Sequence, residues 1–169
     1  MSDTTIRIAA GLERVFAARG FAEPSVEDLR DAAGVSLRTL YKYVPSRADM
    51  VLAALEHRHT RYLAHLFDGL PDTREAALDA LFDRIGAWME PETSHGCLFH
   101  GAVAANPGSA RLRGMLKRHK AEVAGRAADV TDLTGHETEL LIILEGLTQT
   151  WSLDGNAVTR AKRLGRSLR

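Results

Sequence analysis

Apolar residues recur along most of this chain at the spacing of an α-helix, and this pattern restricts the class of fold. Near the N-terminus, one helical face would carry Ile8, Leu12, Val15 and Phe16, while Glu13 lies off that stripe. No run of alternating β-branched residues indicates a sheet. Hydrophobic residues make up 45% of the sequence, which is enough for a core. We therefore predict an all-α fold.

The boundaries of the helices follow from local signals. Ser25 and Ser46 are each followed three positions later by an acid, a pattern typical of a capped helix start. Gly34 and Pro91 are among the residues that interrupt a helix. The pattern predicts about nine helices joined by short loops, near residues 4–19, 25–32, 36–43, 47–67, 73–89, 97–105, 109–131, 136–153 and 156–167.

The charge balance limits how this chain could bind nucleic acid. It has 22 basic and 22 acidic residues, so its formal net charge is zero. Many nucleic-acid-binding domains are strongly basic, and any DNA-binding surface here must therefore be local. Between Asp31 and Asp49 the only charged residues are the cations Arg38, Lys42 and Arg47. This interval is the candidate surface.

Residues 25–44 combine the features of a helix-turn-helix. The first of its two helices would bury Val26, Leu29 and Ala33 on one face. Gly34 allows the left-handed backbone of a tight turn, and Ser36 can cap the second helix. That second helix would bury Leu40 and Val44 and leave a polar face exposed. A short exposed helix of this kind fits the major groove of DNA.

The same segment resembles the TetR/AcrR family of regulators. The matching residues are Gly34-Val35-Ser36, Thr39-Leu40-Tyr41 and Tyr43-Val44-Pro45-Ser46-Arg47, and the similarity covers about residues 6–66. The sequence departs from the family pattern at two positions. Val44 stands where phenylalanine is usual, and Arg47, which keeps the positive charge, stands where lysine is usual.

The resemblance implies a homodimer that binds an operator in double-stranded DNA and is released by a small-molecule effector, most often as a repressor. It implies a three-helix DNA-binding head at residues 1–46 and a helical body for ligand binding and dimerisation at residues 47–169. Carried over by position, the residues at the DNA are Ser25, Ser36, Leu37, Arg38, Thr39, Tyr41, Lys42 and Arg47. Of these, Arg38, Lys42 and Leu37 match base-reading positions, and Ser25, Thr39, Tyr41 and Arg47 match phosphate-contacting ones.

The eighth predicted helix carries an apolar stripe that the resemblance assigns to the dimer interface. The interface residues predicted there are Leu140, Leu144, Leu147, Thr148 and Trp151. Periodicity alone does not distinguish a stripe that faces a partner from one that faces its own core. The neighbouring face, with Leu141, Thr148 and Ser152, could then serve the other role.

An effector pocket would lie among the fifth to eighth helices and would be mainly apolar. By composition, the candidate lining residues are Trp88, Met89, Phe99, Met115, Gln149 and Trp151. Aromatic and Met residues at helical spacing are more often ordinary core residues. The body is short for the family, so a small pocket or none at all is an alternative.

Other functional classes are less well supported. His95, Cys97 and His100 could bind a soft metal, but no second cysteine accompanies them, and we expect no metal or cofactor. No GxSxG, Walker or HExxH motif indicates an enzyme. The alternatives are a sensor or carrier that no longer binds DNA, and a DNA-binding dimer without a ligand.

The expected compartment follows from cysteine content and hydropathy. Cys97 is the single cysteine, so no intrachain disulfide is expected and a reducing environment fits. The N-terminus shows no basic-then-apolar signal segment, and the uncharged stretch 93–110 is too polar to cross a bilayer. We expect a cytoplasmic protein without a membrane partner.

Overall fold

A computed structural model describes residues 3–92 and 96–168, and every regular element in these ranges is an α-helix. The all-α prediction is therefore confirmed. The helices of the described chain are α1 (Asp3–Arg19), α2 (Val26–Ala33), α3 (Leu37–Tyr43), α4 (Arg47–Phe67), α5 (Arg74–Glu92), α6 (Leu98–Ala105), α7 (Ala110–Val130), α8 (Glu137–Thr150) and α9 (Ala157–Ser167).

Every predicted helix end lies within three residues of the observed one. The larger differences are in α5 and α8. Helix α5 continues through Pro91, although the sequence predicted an end at residue 89. Proline is tolerated there because its missing N–H removes only one hydrogen bond, in the last turn of the helix. Helix α8 ends at Thr150, and residues 151–153 form a turn.

The chain divides into two compact units. One comprises Met1–Arg61 and Leu98–Arg113, and the other comprises Tyr62–Cys97 and Gly114–Arg169. Helices α4 and α7 contribute residues to both units. The predicted domains, 1–46 and 47–169, have other bounds than these compact units, and they stay a prediction.

The first unit is built on a close approach between α1 and α2. A Cβ atom placed on Gly11 of α1 would lie 2.2 Å from the carbonyl oxygen of Ala32 and 2.8 Å from the Cα atom of Ala33. Only glycine allows the two backbones this spacing. Leu12, Phe16 and Leu29 are then fully buried and form part of the core of the head.

A buried carboxylate joins α1 to α4 within the first unit. Glu13 lies off the apolar stripe of α1, yet it is only 2% exposed. Its Oε1 accepts hydrogen bonds from Arg58 at 3.2 Å and Arg61 at 2.7 Å, and its Oε2 lies 2.5 Å from Nδ1 of His57. These three α4 residues compensate the cost of burying the charge.

The second unit has a continuous apolar core formed by the end of α4 with α5, α7, α8 and α9. Leu140, Leu144 and Leu147 belong to this core and are 0–3% exposed. Side chains this buried within one chain have little surface left for a partner subunit. These three leucines therefore face the core of their own chain, which was the alternative left open for the stripe, and the position of the dimer interface stays a prediction.

Candidate nucleic-acid interface

The turn between α2 and α3 has the geometry expected from its sequence. Gly34 ends α2 in the left-handed conformation, with φ 63° and ψ 37°. Its N–H donates to the carbonyl of Asp31. Ser36 then caps α3, and its Oγ accepts from the N–H of Thr39 at 3.1 Å. Leu29 and Leu40 are both fully buried, so the two helices are held by packing as well as by caps.

Helix α2 begins with a complete capping box. The Oγ of Ser25 accepts from the N–H of Asp28, while the Asp28 carboxylate accepts from the N–H and the hydroxyl of Ser25. These bonds, with a further one from Arg19, lower the pKa of Asp28 to about 2. The Ser25 hydroxyl, a predicted phosphate-contacting group, therefore already has two internal partners.

The outward surface of α3 has two parallel rows of side chains. Leu37 and Tyr41, four residues apart, form what we call the apolar row, and they are 38% and 41% exposed. Arg38 and Lys42, also four apart and exposed, form the cationic row. Two other predicted contact residues are turned toward each other, because the hydroxyls of Ser36 and Thr39 lie 2.8 Å apart.

The cationic row is not neutralised by neighbouring acids. Within the described ranges Arg38 forms no ion pair, and the Nζ of Lys42 lies 5.7 Å from the ring centroid of Tyr43. The next acid along the chain, Asp49, accepts from Ser46 at 2.6 Å and from Arg111 at 3.0 Å, which lowers its pKa. The positive charge of α3 is therefore available to an anionic partner.

Arg47 has a structural role that the sequence did not indicate. Its guanidinium donates to the carbonyl of Phe21 at 2.8 Å and lies 5.9 Å from the ring centroid of Phe16. The side chain is half-buried. A guanidinium has five N–H donors, so this bond leaves others for a phosphate.

Trp88 stands out among the predicted pocket residues. It is 7% exposed, and its ring lies 5.1 Å from that of Tyr62 and 5.3 Å from that of His65, between centroids. The Nε2 of His65 lies 2.7 Å from the carbonyl oxygen of Arg84. Sequence reasoning missed Tyr62 and His65 as neighbours of Trp88, although their three-residue spacing places them on one face of α4.

The other predicted pocket residues do not form one group. Met89 belongs to the second unit's core, Trp151 packs against that core, and Met115 is buried in α7. Phe99 lies in the first unit, where its ring meets that of His59 edge to face at 6.3 Å. Gln149 is exposed. A surface cleft is present, but none of the predicted pocket residues is among those that line it, which are Arg74, Glu75, Ala76, Leu78, Asp79 and Arg166.

The remaining candidate residues are placed as follows. Thr148, predicted at the interface, is half-buried, and its hydroxyl donates to the carbonyl of Leu144. Cys97 lies 3.6 Å from the Nζ of Lys120, while His95 lies outside the described residues. Among the described residues, no three His, Cys, Asp or Glu side chains are placed to hold a metal ion.

No described helix is long and apolar enough to cross a membrane.

Comparisons with known proteins agree with this geometry. Residues 8–54, which include α2 and α3, match the family described as bacterial regulatory proteins, tetR family. The chain is 23% identical over 160 residues to YezE of Bacillus subtilis, an uncharacterized HTH-type transcriptional regulator. That similarity covers 88% of this chain and 81% of YezE.

Solved structures share the fold. The TetR-family regulator SCO4454 of Streptomyces coelicolor superimposes with a TM-score of 0.82 at 18% identity, covering 99% of this chain and 90% of that one. The reduced form of NemR from E. coli superimposes with a TM-score of 0.79 at 18% identity, covering 99% and 98%. The likeness of fold therefore extends over almost the whole chain and is not limited to the head.

Proposed function

We propose that the chain is a DNA-binding transcriptional regulator of the TetR family, and that its homodimer inserts the α3 helix of each subunit into the major groove of an operator. The observation that carries this proposal is the outward face of α3, with its cationic row free of acidic partners among the described residues. A helix of this length fits the groove, and two heads would reach half-sites about 34–36 Å apart. We propose residues 1–46 as the DNA-binding domain.

The proposed roles of the contact residues follow from the charges and hydrogen-bond donors that each side chain does not use in contacts with other described residues. Arg38 and Lys42 carry no competing ion pair within the described ranges, so they are assigned to base edges and nearby phosphates. Tyr41 and Arg47 are assigned to phosphates. Arg47 would use the N–H donors of its guanidinium that are not bonded to the carbonyl of Phe21. Ser25, Ser36 and Thr39 are assigned to holding the backbone of the two helices in place.

Single replacements in the cationic row are expected to separate these roles. Arg38→Ala should reduce the preference for operator over scrambled duplex by roughly tenfold or more, because a base contact is lost in each half-site. Lys42→Ala should weaken binding to all duplexes and lower the salt dependence by about one phosphate per subunit. Fluorescence anisotropy with both duplexes measures both effects. Lys117→Ala, an exposed cation of α7, is the control, and an equal loss in that variant would contradict the assignment.

We infer that dimerisation uses the outward side of the last two helices. Ile142 of α8, Leu153 just after α8 and Leu164 of α9 are 66%, 80% and 52% exposed. Exposed apolar side chains on adjacent helices favour a self-complementary contact between two copies. These residues replace the three buried leucines as the proposed interface.

Charge placed on this surface should separate the subunits. We expect Ile142→Glu combined with Leu153→Glu to convert the dimer to monomer, because two carboxylates per subunit would be desolvated without partners. Sedimentation velocity measures the change directly. Ile6→Glu is a matched control, since Ile6 is an exposed apolar residue of α1. An unchanged dimer in the double variant would exclude this surface.

The proposed effector is a small, largely apolar molecule that binds beside Trp88 and acts as the release signal for a repressor. The aromatic rings of Trp88, Tyr62 and His65 support this position, because a cluster of aromatic side chains favours planar or apolar ligands. Such a ligand must bind the DNA-incompetent state more tightly than the competent one. We also infer that the protein acts in the cytoplasm, where its operator lies.

Tryptophan fluorescence can test the effector site, because the chain has only Trp88 and Trp151. A compound that releases labelled operator should change the emission of Trp151→Phe, which retains Trp88, far more than that of Trp88→Phe. Compounds that release DNA without changing Trp88 emission would place the site elsewhere. If no compound in a broad apolar library releases DNA, a ligand-independent dimer becomes the better account.

A further inference from the structure

The apolar row of α3 contains one side chain, Leu37, whose exposure is not accounted for by the polar contacts assigned to the cationic row. Leu37 is the first residue of α3, directly after the Ser36 cap, and it is 38% exposed. It is a large aliphatic side chain on a face that otherwise ends in charged or hydroxyl groups. Leaving apolar surface in water costs about 25 cal/mol per Å², so its position favours an apolar partner.

The polar groups nearest to Leu37 in sequence are already engaged. The Oγ of Ser36 accepts from the N–H of Thr39, and the hydroxyls of these two residues lie 2.8 Å apart. One of these hydroxyls therefore donates to the other, and the N-terminal end of α3 offers the methyl groups of Leu37 beside a single remaining hydroxyl hydrogen. Arg38, the next residue, begins the cationic row and is assigned to polar edges.

The major groove of DNA contains one apolar group, which is the 5-methyl of thymine. This inference rests on the proposed function, in which α3 enters that groove. We propose that Leu37 contacts a thymine methyl in each half-site and thereby specifies T at one symmetric position of the operator. The cationic row then supplies affinity and polar readout, while Leu37 supplies discrimination by a methyl group.

Replacing thymine by deoxyuridine tests the proposal, because deoxyuridine forms the same base pair and lacks only the methyl. The operator is first selected from random duplexes by the purified protein, and each thymine is then replaced in turn. We expect one position per half-site at which affinity falls by about fourfold for one half-site and about fifteenfold for both. Leu37→Ala should bind the thymine and deoxyuridine duplexes equally.

Two controls separate the possible results. Leu37→Ala must retain the helical circular dichroism of the wild type, and Tyr41→Ala should keep the deoxyuridine effect at the Leu37 position. A selected operator with no deoxyuridine effect anywhere would overturn the Leu37 proposal and leave the proposed function standing. The same holds if the effect persists undiminished in Leu37→Ala. Failure to select any duplex would overturn both.

Discussion

Glu13→Ala is expected to lower the free energy of unfolding by about 3–5 kcal/mol, a large effect for a single replacement. Glu13 is 2% exposed, and its carboxylate lies within hydrogen-bonding distance of His57, Arg58 and Arg61. Arg58 is itself only 4% exposed, so removing the carboxylate leaves a buried guanidinium without that compensation. Urea unfolding followed by circular dichroism, at one fixed protein concentration, measures the loss.

Glu90→Ala is the matched control, because Glu90 is an exposed acid of α5. Surface replacements of this kind change stability by only about 0.5 kcal/mol in either direction. If Glu13→Ala and Glu90→Ala unfold at the same urea concentration, the carboxylate does not stabilise the contact between α1 and α4.

Gly11→Ala is expected to give the second large effect, a loss of about 3 kcal/mol or more in the free energy of unfolding. The added Cβ would lie 2.2 Å from the carbonyl oxygen of Ala32 and 2.7 Å from its carbonyl carbon. These are backbone atoms, so no rotamer change can relieve the contact, and α1 and α2 must separate. Thermal unfolding measures the loss, and operator affinity should fall with it because α3 packs on α2.

Gly114→Ala is the matched control, because it makes the same replacement at a helical glycine that has room for a side chain. Gly114 lies within α7, and a Cβ placed there meets nothing within 4 Å. Alanine is the better helix former, so this variant should be as stable as the wild type or more stable by up to about 1 kcal/mol. Equal destabilisation of the two variants would show that the close approach of α1 and α2 is not what requires glycine.

The helices themselves were predictable because their ends depend on local chemistry. The Ser25–Asp28 capping box, the left-handed Gly34 and the Ser36 cap are all formed within a few residues of sequence. The helix-turn-helix and its exposed face follow from them. The resemblance to the TetR family depends on the same residues, and the match over residues 8–54 confirms it.

Contacts between distant segments were not predictable from periodicity. Glu13 lies off its apolar stripe, yet it is buried by three residues more than 40 positions away in sequence. Arg47 matches a phosphate-contacting position, but its guanidinium also binds the carbonyl of Phe21. The stripe of α8 is apolar whether it meets a partner or its own core, and only the packing of α5 and α9 against it decides.

Operator recognition is assigned above all to the cationic row of α3. The most direct test is a titration of labelled duplex, selected by the protein from a random pool, at two salt concentrations. The wild type and the Arg38→Ala, Lys42→Ala double variant are compared, each with a scrambled duplex as competitor. We expect the wild type to prefer the selected duplex and to lose about 10³–10⁵ in affinity between about 50 and 200 mM salt, as for 6–10 phosphate contacts. The double variant should bind far more weakly and keep only the part of the preference that Leu37 supplies. Binding as tight and selective as that of the wild type would contradict the assignment of the cationic row.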